Sequence, residues 1–225
     1  MIKNRIKILR DKFIKHKIDG YIVPKNDEFF SEYCEKERLK FISNFSGSAG
    51  YAIITKNKNY LFIDGRYTIQ AEIESKENFK IINYNKLVNC NLFKNLTLGI
   101  DPKLFTSLHI KKFFLKNNKI KLIDKNLIDE ISKNKIKINK SFFLINTDIV
   151  GQNFKSKINK IKSYLKKNKS DWIFISAPEN VAWVLNIRGH DNPNSPIPNC
   201  HLLMSKSNIY LITKRKNQNN LIKKK

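Results

Sequence analysis

The chain has 225 residues, 41% of them apolar, which is enough for one large domain or two modest ones and excludes wholesale disorder. No apolar run approaches the length that spans a bilayer, and residues 1–10 lack the apolar stretch of a signal peptide. The sequence therefore predicts a cytoplasmic protein with no membrane partner. Cys34, Cys90 and Cys200 lie far apart without zinc-ligand spacing, so we expect reduced thiols.

The formal net charge of +25 raises the possibility of a nucleic-acid partner. Composition offers a simpler explanation, because the chain contains 38 Lys, 29 Asn and 33 Ile but only 6 Arg. The codons of Lys, Asn and Ile are all rich in A and T. The charge is also spread along the whole chain. We therefore expect a solvated lysine surface and no specific nucleic-acid partner, while weak, salt-sensitive binding to polyanions stays open.

The first half of the chain alternates helical and strand-like patterns. Its opening residues place apolar side chains at i, i+4, i+7 and i+11, which is typical of an amphipathic helix. Later segments alternate strands with helices, which predicts an α/β fold with a sheet covered by helices. The predicted elements are helix 2–13, strand 20–23, a polar helix 27–40, hairpin strands 51–55 and 60–64, helix 67–75, strands 79–84 and 96–100, helix 104–115, strand 120–123 and helix 126–132.

The same order of elements recurs about 150 residues later in the sequence. A predicted helix over 154–165 is followed by a strand at 172–176 and by a hairpin of 201–204 with 209–213. This near-constant offset suggests two copies of one α/β unit. Helix–strand–hairpin order is also common enough to arise without a repeat.

The second copy has only a Lys- and Asn-rich tail, residues 214–225, after its hairpin. If the repeat is real, the second domain lacks about half of its elements. A half sheet would leave an unpaired edge and an uncovered apolar face. The predicted domains are 1–133 and an incomplete 147–225, joined by a linker at 134–146. The Lys/Asn/Ile-rich stretch 132–140 indicates this linker, because its charge interrupts any core pattern.

Two motifs of the first half lie beside predicted strands. The Gly47-Ser-Ala-Gly50 turn precedes a strand, so its glycines fit a tight turn better than a phosphate cradle, which precedes a helix. Asp64 ends a strand and can cap the following helix. Arg66 follows that strand end, where ligands bind in α/β folds, and arginine can bind a carboxylate bidentately. A ligand contact and a structural salt bridge fit Arg66 equally well.

A third motif, Asn180-Val-Ala-Trp-Val-Leu-Asn-Ile-Arg-Gly189, lies in the second half. Its pattern predicts a helix end at Gly189, followed by a polar loop with Pro193, Pro196 and Pro198. Arg188 at this end can hold the loop or bridge to a neighbouring domain.

These motifs, in this order and together with Val23-Pro24 and Ser31-Glu-Tyr33, resemble the two N-terminal domains of three-domain Xaa-Pro aminopeptidases, the aminopeptidases P. These domains are of the creatinase/prolidase N-terminal type, and the resemblance covers essentially the whole chain. It implies two related α/β domains with mixed sheets flanked by helices, the second truncated. It also implies that Arg66 contributes to peptide binding, and Asp64 and Arg188 are further candidate substrate-binding residues. Residues 197–200 depart from the aromatic residues usual in this family.

The family's chemistry belongs to a C-terminal domain that this sequence does not resemble. There, two Asp, one His and two Glu bind two divalent metals, usually manganese, which activate a water for attack on the bond before proline. In this chain the histidines, residues 16, 109, 190 and 201, are scattered. We therefore expect no metal site and no hydrolysis by this chain alone. The resemblance implies a homodimeric parent enzyme that removes the residue before a proline in second position.

Two other functional classes stay open. A free-standing binding module of creatinase-like fold would bind proteins rather than cut them, although a charge of +25 argues against basic partners. A polyanion binder would lose its affinity steeply with added salt.

Overall fold

The computed structural model describes residues 1–31, 34, 36–88, 90–132, 142–192 and 194–214. The chain divides into two compact units, Met1–Lys135 and Ile136–Lys225. Most of the predicted linker 134–146, and the tail from 215 onward, lie outside the described residues. Within the described part of the chain, no helix combines the length and apolar character needed to cross a membrane.

The first unit is built on a six-stranded mixed sheet. Its strands are β1 (Gly20–Pro24), β2 (Gly50–Thr55), β3 (Asn59–Ile63), β4 (Lys80–Asn83), β5 (Thr97–Ile100) and β6 (Lys119–Leu122). Their spatial order is β4-β3-β2-β1-β5-β6. The β2–β3 hairpin pairs antiparallel with β1, whereas β3–β4, β1–β5 and β5–β6 are parallel pairs. As predicted from the alternating patterns, local hairpin pairing and longer crossovers are combined in one sheet.

Helices and turns cover both faces of this sheet, which gives two apolar layers. One layer is sealed by the amphipathic first helix, whose Ile6, Leu9 and Phe13 are buried. The other layer includes the buried aromatic side chains of Phe93, Phe105, Phe113 and Phe114. The α-helices are α1 (Ile2–His16), α2 (Arg38–Ser43), α3 (Thr68–Ser75), α4 (Ser107–Phe113) and α5 (Leu127–Ser132), with 3-10 turns at Gly65–Tyr67, Tyr84–Leu87 and Pro102–Leu104.

The polar helix predicted over 27–40 is wrong for most of its length. In the described part of this segment, helix begins only at Arg38. Asp27 instead accepts backbone N–H groups from Phe29 and Ser31, at 2.9 and 3.0 Å. These hydrogen bonds stabilise a non-helical turn. Asp side chains typically compete in this way with the backbone hydrogen bonds of a helix.

The second unit contains a three-stranded antiparallel sheet and a two-stranded ladder. Its strands are β7 (Phe143–Leu144), β8 (Trp172–Ile175), β9 (Ile187–Arg188), β10 (His201–Ser205) and β11 (Ile209–Ile212), and its helices are α6 (Thr147–Val150), α7 (Phe154–Lys167) and α8 (Pro178–Leu185). The larger sheet has the order β11-β10-β8, and β7 pairs with β9. Helices α7 and α8 pack on one face of the larger sheet.

The internal repeat is confirmed down to the pairing register. In the first unit Ile22 on β1 lies opposite Ile53, which lies opposite Tyr60. In the second unit Phe174, Leu203 and Tyr210 form the same cross-strand row on β8, β10 and β11. The order β3-β2-β1 in one unit therefore corresponds to β11-β10-β8 in the other.

All three cysteines are free thiols, as the sequence predicts. Burial raises the pKa of the Cys34 thiol and of the Cys200 thiol to about 12. Cys90 is only half-buried. Because the thiolate is the reactive species, we expect Ellman's reagent to modify one thiol rapidly in the native protein and all three in denaturant. Cys90→Ser should abolish the rapid phase, and persistence of that phase would contradict the assignment.

Candidate functional site

Polar caps follow the parallel strands of the first unit at one edge of its sheet. Asp64 and Asp101 come directly after β3 and β5, and Asn83 is the last residue of β4. In each case the side-chain oxygen accepts the backbone N–H two residues further on, at 2.9–3.0 Å. Because these strands run in the same direction, the sheet order brings their carboxyl ends to one edge. This is the edge at which ligands bind in open α/β sheets.

A cleft of about 430 Å³ opens at this edge. It lies beyond the ends of β1, β3 and β4 and beside the start of β2. Its lining includes both charged and aromatic groups, so it offers hydrogen-bonding atoms next to apolar ring surface. Among the lining residues are Lys25, Asn26, Ser48, Tyr51, Asp64 and Tyr84.

The predicted residues Asp64 and Arg66 form one ion pair beside this cleft. The Arg66 Nε and Nη2 donate to the two carboxylate oxygens of Asp64 at 2.9 and 3.3 Å, and the Arg66 guanidinium also lies over the Tyr67 ring. These hydrogen bonds hold the pKa of Asp64 below its usual value. The predicted capping role of Asp64 is confirmed, and the structural salt bridge at Arg66 is present.

Two stacked tyrosines form an aromatic wall of the cleft. The ring centroids of Tyr51 and Tyr84 lie 5.6 Å apart, with the planes 26° from parallel. Burial raises the pKa of both phenols, so their hydroxyls are neutral at physiological pH. The two residues come from a strand start and a 3-10 turn that are far apart in sequence. The sequence analysis did not predict this pair. The available signal was that each tyrosine lies next to the end of a predicted strand.

The small residues beside the cleft permit close packing of the backbone. A Cβ on Gly50 would lie 2.9 Å from the carbonyl oxygen of Phe62, and one on Gly47 would lie 2.3 Å from the Phe45 ring. Neither glycine has a positive φ. Glycine is therefore needed at both positions because the neighbouring atoms come so close. The segment that follows is a strand, which agrees with the predicted tight turn and not with a phosphate cradle.

Lys25 is a second cation at the cleft that sequence reasoning missed. Its ammonium group is almost buried and is paired with the Glu37 carboxylate. Next to it, the Asn26 amide donates to the carbonyl oxygen of Leu104 at 3.0 Å. The side chains following β1 are thus held in place by neighbouring segments, which gives the cleft a rigid wall.

Arg188 lies in the second unit, where it caps a helix. Its Nη1 donates to the carbonyl oxygens of Ala182 and Ile187 at 3.3 and 2.9 Å. The helix ends at Leu185, where Asn186 adopts a left-handed conformation with φ of 54°. The helix end predicted at Gly189 is therefore wrong. Asn supplies the left-handed cap that glycine usually provides, while Gly189 allows close approach to Pro198.

Lys157 also binds the carboxyl end of this helix. Its ammonium group donates to the Trp183 carbonyl and to the Asn186 side chain, both at 2.7 Å, and lies 4.2 Å from the Trp183 ring centre. Two cations at the negative end of a helix dipole are a stabilising arrangement. The contacts of Arg188 and Lys157 are thus explained by the local fold.

Among the described residues, no group of three or more His, Cys, Asp or Glu side chains is placed to hold a metal ion. The described residues therefore do not fit a two-metal centre.

The mixed sheet, the polar carboxyl-end cleft and the repeated hairpin unit define a two-part α/β protein with a candidate ligand cleft in its first part. Sequence comparison matches residues 5–129 and residues 133–225 to two families, each described as the creatinase/prolidase N-terminal domain. The chain belongs to the creatinase/prolidase N-terminal domain family, as the motifs predict.

The similar proteins include Xaa-Pro aminopeptidases. A probable Xaa-Pro aminopeptidase P of Laccaria bicolor is 33% identical, over 86% of this chain and 33% of the relative. Xaa-Pro aminopeptidase 1 of Dictyostelium discoideum is 32% identical, over 87% and 35%. This chain thus spans about a third of these relatives' length.

One solved structure supports the fold. The X-prolyl aminopeptidase of Caenorhabditis elegans, described as a cytosolic enzyme with a di-nuclear active site, superposes with a TM-score of 0.85 at 24% identity. The superposition covers 99% of this chain and 40% of that protein. The predicted fold of two creatinase-type N-terminal domains is thereby confirmed.

Proposed function

We propose that this chain is the non-catalytic N-terminal part of an Xaa-Pro aminopeptidase, an enzyme that removes the residue preceding a proline in second position. The observation that carries the proposal is the match of both halves of the chain to N-terminal domains, in relatives that bear this name. In this proposal the two divalent metals and their ligands lie in polypeptide outside residues 1–225. The cytosolic location named for the Caenorhabditis elegans relative and a homodimeric assembly belong to the same proposal.

The contribution proposed for this chain is peptide binding at the cleft beside Asp64. Arg66 is held by Asp64 at a strand end, where its guanidinium can meet a peptide carboxylate or carbonyl in a fixed orientation. The stacked Tyr51 and Tyr84 offer a flat apolar surface of the kind on which proline rings pack. A cation beside the cleft and an aromatic wall within it favour short proline-containing peptides.

The test is calorimetric titration of the 225-residue chain with Ala-Pro-Ala and with Ala-Ala-Ala. We expect the proline peptide to bind more tightly, and Arg66→Lys to weaken that binding by about tenfold or more, because lysine keeps the charge but loses the planar, bidentate fork. Arg188→Lys, which changes the same residue type in the second unit, serves as the matched control and should leave binding unchanged.

The outcomes separate the roles of the predicted residues. Equal binding of wild type and Arg66→Lys would contradict a substrate contact at Arg66 and leave only its salt bridge to Asp64. If Arg188→Lys lost binding and Arg66→Lys did not, the peptide contact would have to be assigned to the second unit. If the affinity for both peptides fell steeply as the salt concentration rose, the result would favour the interpretation of the chain as a polyanion binder.

A further inference from the structure

The loop that joins β9 to β10 in the second unit folds back on itself. We call it the 189–200 loop. The backbone N–H of Gly189 donates to the carbonyl oxygen of Pro196 at 2.9 Å. The Asp191 Oδ2 accepts the backbone N–H of Asn199 at 2.6 Å. These two hydrogen bonds hold the halves of the loop together, so side chains from both halves belong to one small region.

Two amide oxygens in this loop are buried beside the Asp191 carboxylate. Asp191 is 2% exposed and Asn192 is 8% exposed. In the described part of the chain, the Oδ1 atoms of Asn192 and Asn199 are buried and accept no hydrogen bond. The Asn192 Nδ2 donates to the carbonyl oxygen of Ile197 at 3.4 Å, so exchanging its two terminal atoms would bring two oxygens together. A buried acceptor of this kind costs free energy unless a bound group satisfies it.

The charge pattern of the sequence changes at this loop. The chain has 44 Lys and Arg among 225 residues, yet residues 189–205 contain neither. Asp191 is the only acidic residue of the same stretch. A lysine or arginine in the loop would repel a bound cation, so a stretch without them is suited to cation binding. The loop thus combines a carboxylate with amide oxygens and brings no strongly basic side chain of its own.

The donor atoms of this loop select the kind of cation. Carboxylate and amide oxygens are hard donors, and Ca²⁺ accepts about six to eight of them in a flexible geometry, with water in the remaining positions. Mg²⁺ requires a near-ideal octahedron and keeps most of its water. Transition metals prefer imidazole or thiolate, and the described residues hold no group of three His, Cys, Asp or Glu side chains placed for a metal. Calcium therefore fits these donors best.

We propose that the 189–200 loop binds one Ca²⁺ ion through the Asp191 carboxylate and the amide oxygens of Asn192 and Asn199. A single carboxylate among neutral donors makes this a weak site, with a dissociation constant of about 0.1–1 mM. The ion joins the two halves of the loop and thereby stabilises the second unit. This proposal does not depend on peptide binding at Arg66, and it revises the expectation that the chain has no metal site.

The experiment follows thermal unfolding of the 225-residue chain by tryptophan fluorescence, because Trp172 and Trp183 both lie in the second unit. The protein is freed of calcium with EGTA and then measured in about 10 mM CaCl₂, and in MgCl₂ and NaCl of the same ionic strength. We expect Ca²⁺ alone to raise the Tm of the second unit by about 5 °C or more. Matching the ionic strength removes the general effect of salt on a chain of charge +25.

Substitutions in the loop should change the calcium affinity in opposite directions, as measured by calorimetric titration with CaCl₂. Asp191→Asn keeps an oxygen for the Asn199 N–H but removes the charge, and should weaken binding by about tenfold or more. Asn199→Asp adds a second carboxylate and should strengthen binding by about tenfold. Asn194→Asp is the matched control, because it adds the same charge to the same loop on an exposed side chain, and should strengthen binding much less.

The Tm of Asn199→Asp distinguishes a cation site from a loop that merely contains buried oxygens. In EGTA this variant should have a lower Tm than the wild type, because two carboxylates then lie close together, and Ca²⁺ should restore it. A Tm that stays low in CaCl₂ would show that the loop holds no cation and would overturn the proposal. Equal Tm shifts with Ca²⁺ and Mg²⁺, or equal calcium affinity in the wild type and Asp191→Asn, would overturn it as well.

Discussion

Replacing Arg38 with alanine should lower the free energy of unfolding of the first unit by about 3–5 kcal/mol. The side chain is 3% exposed. Its Nε and Nη2 donate to the Asp129 carboxylate at 2.7 and 2.9 Å, and Nη2 also donates to Glu28 at 2.9 Å. Removing the cation would leave two partly buried carboxylates without their main partner, which costs more than the lost attraction alone.

The matched control is Arg66→Ala, because that arginine also grips a carboxylate but is 72% exposed. Exposed ion pairs contribute little to stability, so this variant should unfold almost like the wild type. Urea unfolding followed by far-ultraviolet circular dichroism compares the two. If Arg38→Ala were no more destabilised than Arg66→Ala, the buried network would not stabilise the fold.

The same network should make the stability of the first unit depend on pH. Burial alone would raise the pKa of Asp129 and of Glu28, but hydrogen bonds from Arg38 outweigh it, so both pKa values are lowered. A lowered pKa in the folded state gives stability that is present above the unfolded value of about 4 and is lost as the pH falls. Wild-type stability should therefore drop as the pH falls below about 4, and Arg38→Ala should show a shallower drop.

This network also explains why the segment 27–40 could not be predicted from its sequence. Its charges resemble those of a solvated helix face, yet Arg38 and Lys36 pair with Asp129, some ninety residues away. Local periodicity carries no information about such partners. The first helix, both hairpins and the parallel strands were predictable because their apolar spacing and turn residues are local signals.

The residues of the candidate site were predictable only where a local sequence signal marked them. Asp64 and Arg66 stand at a strand end, and that position alone marked them. Tyr51, Tyr84 and Lys25 reach the same cleft only through the sheet order, which places β2 between β1 and β3. A sequence pattern predicts that strands exist but not which strands are neighbours, so the aromatic wall was missed.

The internal repeat makes Ile53 in the first unit and Leu203 in the second unit equivalent, and truncating them should have unequal effects on stability. Ile53→Ala should destabilise the first unit by about 2–5 kcal/mol, because this residue is completely buried between β1 and β3 and its truncation leaves a cavity. Leu203→Ala, at the equivalent position of the second unit, should cost less than Ile53→Ala, because Leu203 is only partly buried and its cross-strand neighbours Phe174 and Tyr210 are 55% and 51% exposed.

The two effects can be read separately in one protein. Both tryptophans, Trp172 and Trp183, lie in the second unit, so urea unfolding followed by tryptophan fluorescence reports the effect of Leu203→Ala. Circular dichroism reports Ile53→Ala through the larger sheet of the first unit. Equal costs at the two positions would contradict the difference in burial between Ile53 and Leu203. A larger cost at Ile53 would show that the two units share the pairing register of this cross-strand row but not its burial, because only truncation in the covered row leaves a cavity.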